Sequence, residues 1–195
     1  MFYGTLKTML KISKDTLSGK GLPFLLTLLI IAADQFSKAC IIRVHPVPDG
    51  SVIKDLFNNG FLEIIHVRNN VIAFSLGTSL PETIRPVLFI ALPLVVLFLL
   101  IVYYFRSNDW TQIQRWAIAG IIGGGLGNII DRIVSPGGIS GVVDFISVRF
   151  YGIFGFERWP TFNVADSSVV VCVFIWLTTI LFTPNKPRHG SEAKG

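Results

Sequence analysis

Charge is scarce in this sequence. Asp, Glu, Lys and Arg make up 15% of its 195 residues, against about 25% in soluble domains. A chain so poor in ions does not read as a water-soluble globule. Cysteine is scarcer still. Cys40 and Cys172 both lie in apolar segments, where they act as small apolar filler. They offer neither a disulfide framework nor a metal-ligand spacing. Only three histidines occur, His45, His66 and His189, and none stands beside a serine or cysteine in sequence. Ser-His and Cys-His nucleophile chemistry is therefore unsupported. Without a His-x-x-x-His or Cys-x-x-Cys pair, so is zinc. No metal and no cofactor is expected. The net charge of +5 does not gather on one helix or patch but in the tails, so nucleic acid is not an expected partner. No internal repeat or low-complexity run divides the chain.

What the sequence does have is hydrocarbon: 51% of residues are hydrophobic and the mean hydropathy is +0.62. The expectation is one all-α polytopic membrane domain, a monomer whose partners include membrane lipids. Four stretches, 22–42, 86–105, 116–134 and 163–183, have the length and apolarity of transmembrane helices. The first follows a basic start but continues through Asp34-Gln35-Phe36-Ser37-Lys38 with no small-x-small cleavage site. It therefore reads as a retained span rather than a cleaved leader. Pro93 is expected to kink the second, which neighbouring helices make tolerable. The third is rich in glycine, with Gly120, Gly123, Gly124, Gly125 and Gly127, which lets helix backbones approach closely. This glycine run lacks the Lys-Ser/Thr ending of a phosphate loop.

Lys and Arg in the tails at 1–21 and 184–195 put both termini in the cytoplasm by the positive-inside rule. The segments 44–85 and 135–162 then face outward. The first contains Asn59-Gly60 beside the strand-like Leu62-Glu63-Ile64-Ile65-His66-Val67, which predicts a hairpin in a small sheet on the membrane face. A loop is expected at 69–83. The second outward segment is read as a loop throughout.

On this topology the polar residues meet at one depth. Asp34 and Lys38 lie in the outer half of the first span. Asn128, Asp131 and Arg132 lie at the outer end of the third, and Asn163 and Asp166 at the outer start of the fourth. Asp144 sits in the loop leading there. Asp34 and Lys38 are four apart, acid first, the better order for a pair on one face. Asn128, Asp131 and Arg132 share a face at spacings of three and four. An ionisable residue beside hydrocarbon is costly and marks a task. Two carboxylates held close share one proton. The ionised one can take a proton from water while the other donates to a carbonyl oxygen, which is peptide hydrolysis without a nucleophile or a metal.

Plainer roles compete. Asp144 can cap a helix or pair with Arg149. Asp166 can be a first-turn acid favoured by the helix dipole. Asp131 with Arg132 reads as a structural or substrate-positioning ion pair, and Asp34 with Lys38 as a buried pair orienting the first helix. At the level of the whole protein the rivals are a proton or ion translocator using these charges as a relay, and a scaffold without chemistry.

Five motifs in order carry a resemblance. They are Asp34-Gln35-x-x-Lys38; Asn69 with Ala73-Phe74-Ser75; Gly124-Gly125-x-Gly127-Asn128-x-x-Asp131-Arg132; Val142-Val143-Asp144-Phe145; and Phe162-Asn163-x-Ala165-Asp166-Ser167. Together they resemble the lipoprotein signal peptidases, or signal peptidase II. The resemblance implies a bacterial inner-membrane aspartic endopeptidase with four transmembrane helices and a small extracytoplasmic β-cradle. Such an enzyme cuts diacylglyceryl-modified prolipoproteins just before the lipid-modified cysteine. It implies Asp144 and Asp166 as the catalytic pair, with Asp34, Lys38, Asn69, Asn128, Asp131, Arg132 and Asn163 in support. Val71 stands where the family has glycine, and valine resists positive φ. The 21 residues between the aspartates (145–165) include Tyr151-Gly152-Ile153-Phe154-Gly155-Phe156, expected to pack on the membrane surface.

Overall fold

A computed structural model describes residues 19–69, 81, 84, 87–134 and 141–182. Most of both expected tails, nearly all of the loop at 69–83 and Val71 lie outside the described residues. Four long helices are present: α1 (Phe24–Val44), α2 (Leu92–Arg106), α3 (Gln112–Ile133) and α4 (Val164–Phe182). Three antiparallel strands join them, β1 (Val52–Asp55), β2 (Leu62–Asn69) and β3 (Val142–Val148), in the order β1-β2-β3.

Helix α3 is the centre of the bundle. Twelve of its 22 residues are buried, against three in α1 and two each in α2 and α4. The glycines make this possible. A Cβ at Gly123 would lie 3.1 Å from the Thr27 backbone of α1, and one at Gly124 would collide with the Ala165 carbonyl of α4. The other helices turn their apolar residues outward. Leu28 and Leu29 of α1, Phe98 and Leu99 of α2, and Val170 and Phe174 of α4 are all exposed. Among the described residues, three helical stretches are long and apolar enough to cross a membrane: Gly19–Val44, Val87–Arg106 and Val164–Phe182. Helix α3 is not among them. Its surface meets protein, so it can carry Arg115, Asp131 and Arg132 alongside its glycines.

Several boundaries differ from expectation for local reasons. Helix α3 begins at Gln112 rather than near 116, because Thr111 and Gln114 form a reciprocal capping box there. Pro93 lies in the first turn of α2, just after a π-helical turn at Val87–Ala91. A proline has no N–H and crowds the carbonyl four residues back, and the wider turn accommodates this. The hairpin joins β1 to β2, but its connection runs over residues 56–61 instead of closing on Asn59-Gly60 alone. Asp55 organises it by accepting the N–H groups of Phe57 (3.1 Å) and Gly60 (2.7 Å).

The largest correction concerns 135–162. This segment is not a loop throughout: it contains β3 and a 3-10 turn at Ile153–Gly155. Strand β3 is covered on both faces, so it shows none of the polar-apolar alternation that marks a half-exposed strand.

Candidate active site

Strand β3 pairs with β2 so that Asp144 stands opposite Val67, and Asn69 opposite Val142. The end of β3 is tied to the start of α4 through Phe162, whose carbonyl accepts from Phe145 (3.1 Å) and Ile146 (2.8 Å). This tie brings Asn163, the residue preceding α4, against Asp144. The alternatives for Asp144 do not hold: it caps no helix, and Arg149 pairs with Glu157 instead (3.3 Å).

Asn163 is fully buried and faces both aspartates. Its Oδ1 accepts the Asp166 N–H (2.9 Å), while its own N–H donates to Asp166 Oδ2 (3.1 Å). That is a reciprocal helix cap with aspartate in the place usually held by Glu or Gln. Asp166 is thus a first-turn acid and a site residue at once. Because Oδ1 is committed to the cap, Nδ2 points the other way. It donates to Asp144 Oδ1 (2.7 Å), Asn128 Oδ1 (3.0 Å) and the Val143 carbonyl (3.2 Å). Asn69 Nδ2 donates to Asp144 Oδ2 (3.0 Å), and Asn128 Nδ2 to Asp166 Oδ1 (2.7 Å). Every carboxylate oxygen of the two aspartates therefore accepts an N–H. Asp144 is buried. Burial first, and the Asp166 charge second, push its carboxyl up from 3.8 to about 7. An acid poised there holds or releases a proton near neutrality.

Behind the pair lies a second polar layer. Lys38 bridges Asp34 (2.7 Å) and Asp131 (2.9 Å), so Asp131 pairs with α1 across the helix interface rather than with its neighbour Arg132. Arg132 instead donates to the Asn128 carbonyl (3.2 Å), and its charge acts on Asp144, Asp166 and Asp131. All nine residues singled out in the sequence stand in or against this one network. Two contributors were not named there as site residues. Gln35 Nε2 reaches Asp131 Oδ1 (2.9 Å) and the Gly127 carbonyl (3.1 Å). Arg68 donates to the Gly141 carbonyl (3.1 Å) and lines the cleft. Their signal was adjacency, Gln35 to Asp34 and Arg68 to Asn69.

The pair opens onto a cleft of about 1340 Å³. Its lining combines the polar Arg68, Asn69, Asn128 and Arg132 with the apolar Phe150, Phe156, Trp159 and the valines at 169–171 of α4. The Phe150 and Trp159 rings are tilted at 38° to each other with centroids 4.9 Å apart, while Val170 and Val171 are exposed. The cleft thus joins the two carboxylates to exposed apolar residues of α4. One serine-histidine contact does exist, Ser51 Oγ to His45 Nε2 at 3.1 Å. Asp49 Oδ1 contacts the same nitrogen at 3.0 Å, whereas a triad needs its carboxylate on Nδ1 so that Nε2 can take the serine proton.

Comparisons with known proteins agree with this geometry. Residues 26–182 match the family model described as Signal peptidase (SPase) II. A lipoprotein signal peptidase of Treponema denticola is 47% identical over 152 residues, 77% of this chain and 83% of that one. Another from Treponema pallidum is 40% identical over 162 residues, 83% of this chain and 84% of the relative. A solved structure described as a bacterial membrane enzyme superposes with a TM-score of 0.66 at 27% identity, covering 84% of this chain and 95% of its own. With Asp144 and Asp166 joined by one amide network at the head of a cleft, and the match running from α1 through α4, the chain belongs to the signal peptidase II family.

Proposed function

We propose that this protein is an aspartic endopeptidase that removes signal peptides from diacylglyceryl-modified prolipoproteins, cutting before the lipid-modified cysteine. The observation that carries the reading is the placement of two carboxylates, each satisfied by amide donors, in one cleft with aromatic rings and the exposed valines of α4. The peptide bond sits at the carboxylates and the diacylglyceryl chains lie along Phe150, Trp159 and the exposed valines of α4. Asp144 and Asp166 share a proton and titrate as a pair. The ionised member takes a proton from water as the water oxygen bonds to the scissile carbonyl carbon. The protonated member donates to the carbonyl oxygen, and a proton passes to the leaving amine as the C–N bond breaks. Arg132, which lines the cleft, positions the peptide backbone beside the pair, while Asn128 and Asn163 hold the two carboxylates.

In this reading α1 to α4 are four spans of the bacterial inner membrane, near 22–42, 86–105, 116–134 and 163–183. The tails 1–21 and 184–195 are cytoplasmic. The sheet and the segment at 135–162 lie on the outer face, with the active site beneath them, in a single-domain monomer. The test is cleavage by the purified protein of two versions of one prolipoprotein, with and without the diacylglyceryl group. The reading expects the modified precursor alone to be cut at the cysteine. Equal cutting of both would remove the lipid from the specificity.

A further inference from the structure

We propose that Lys38 is the positioning residue of the aspartate pair: one buried ammonium ties together three groups, each of which fixes part of the site. The proposal rests on Asp144 and Asp166 being the catalytic pair.

Lys38 is 2% exposed. Its ammonium reaches Asp34 Oδ2 at 2.7 Å, Asp131 Oδ2 at 2.9 Å and Asn128 Oδ1 at 3.1 Å. An ammonium has three N–H donors, so all three are committed and none remains for a substrate. Each acceptor passes the constraint on. Asp34 Oδ1 takes the N–H of Ala165 (3.0 Å), the residue before Asp166. Asp131 Oδ2 takes the N–H of Val143 (3.0 Å), the residue before Asp144. Asn128 Oδ1 is fixed by Lys38 and by Asn163, which leaves its Nδ2 to face Asp166 at 2.7 Å. The backbone entering both aspartates, and one amide directed at Asp166, thus converge on a single charge. Helix α1, which supplies no group touching either carboxylate among the described contacts, thereby holds both in place.

The same charge acts on the chemistry. Asp144 is faced by Asp166 from α4, Arg132 from α3 and Lys38 from α1, while β2 contributes the neutral amide of Asn69. Lys38 favours the ionised form of Asp144. Removing the ammonium therefore moves the site's proton affinity as well as its geometry, a result that mere support of α1 would not give.

The experiment uses the full-length protein in lipid with diacylglyceryl-modified prolipoprotein as substrate. Asp34→Asn/Lys38→Met removes the bridge as a neutral pair, keeps an acceptor for the Ala165 N–H and leaves the net charge of the cluster unchanged. Lys38→Arg keeps the charge but replaces a tetrahedral donor by a planar one. In the double variant kcat is expected to fall about 100-fold, as a displacement of roughly 1 Å at a site does. KM should change less than about threefold; in Lys38→Met alone, which removes the ammonium and leaves Asp34 charged, the acidic limb of the pH profile should move to higher pH. Lys38→Arg should lose kcat without that movement. A folded double variant with wild-type kcat, or with a loss confined to KM, would overturn the proposal. So would failure of all three variants to fold, which would make Lys38 a scaffold residue only. Asp144→Asn and Asp166→Asn in the same assay keep the two ideas apart. If they still turn over substrate the catalytic pair is wrong, whatever Lys38 does.

Discussion

Asp144→Asn should make the protein more stable at pH 8 and less stable at pH 4. The folded carboxyl sits near 7 against an ordinary 3.8, through burial first and Asp166 second. Between those values the folded chain binds more protons than the unfolded one, so stability falls as pH rises and levels off above 7. A difference of about three units at 1.36 kcal/mol each makes the ionised carboxylate cost about 4 kcal/mol at pH 8. Asparagine escapes that cost, but its amide cannot accept both the Asn163 (2.7 Å) and Asn69 (3.0 Å) donors. The lost hydrogen bond costs about 1–3 kcal/mol at any pH. The net effect at pH 8 is a gain of roughly 1–3 kcal/mol, or about 2–12 °C in Tm for a chain of this size. At pH 4 only the loss remains. The fluorescence of the four tryptophans followed through thermal unfolding in detergent, from pH 4 to 8, reads both ends. Parallel Tm curves for wild type and variant would refute the argument, because they would mean Asp144 titrates alike in the folded and unfolded chains.

Two further substitutions probe how the site is held. Asn163→Ala removes the cap of α4 and the donor to Asp144 together. It should lower stability by about 2 kcal/mol, the upper end for a lost cap, and depress cleavage too; an unchanged Tm would show that the cap carries no weight. Gly124→Val places a branched side chain against the Ala165 carbonyl and Val169, so it should cost at least about 1–3 kcal/mol as overpacking. The yield of folded protein from membranes and its Tm would show this, and wild-type values would mean that α3 and α4 are not in tight contact.

The polar residues were legible because of where they stand. Asp34 and Lys38 at i and i+4 do form an ion pair, and Asn69, Asn128 and Asn163 do meet the two aspartates. Local spacing and placement along the helices were enough for Asn128 and Asn163, whereas Asn69, at the end of a strand, came only from the family resemblance. Pairing across helices was not legible. Asp131 and Arg132 are neighbours on one face, yet Asp131 turns to Lys38 on α1, a choice made by packing through the glycines of α3. Strand β3 was missed because its two covered faces erase the alternation, and Gly141 and the following apolar run look like any linker. The double role of Asp166 could not be read from its position alone. A first-turn acid becomes a site residue only when Asn163 and Asn128 bring it into the network of Asp144.

The central claim is that Asp144 and Asp166 perform the hydrolysis together. Its most direct test is single-turnover cleavage of a diacylglyceryl-modified prolipoprotein by the wild type, Asp144→Asn and Asp166→Asn, each first shown to be folded by its melting curve. The account predicts cleavage by the wild type and none by either variant, although Asp144→Asn melts higher at pH 8. Cleavage at the wild-type rate by a folded variant of either aspartate would contradict it.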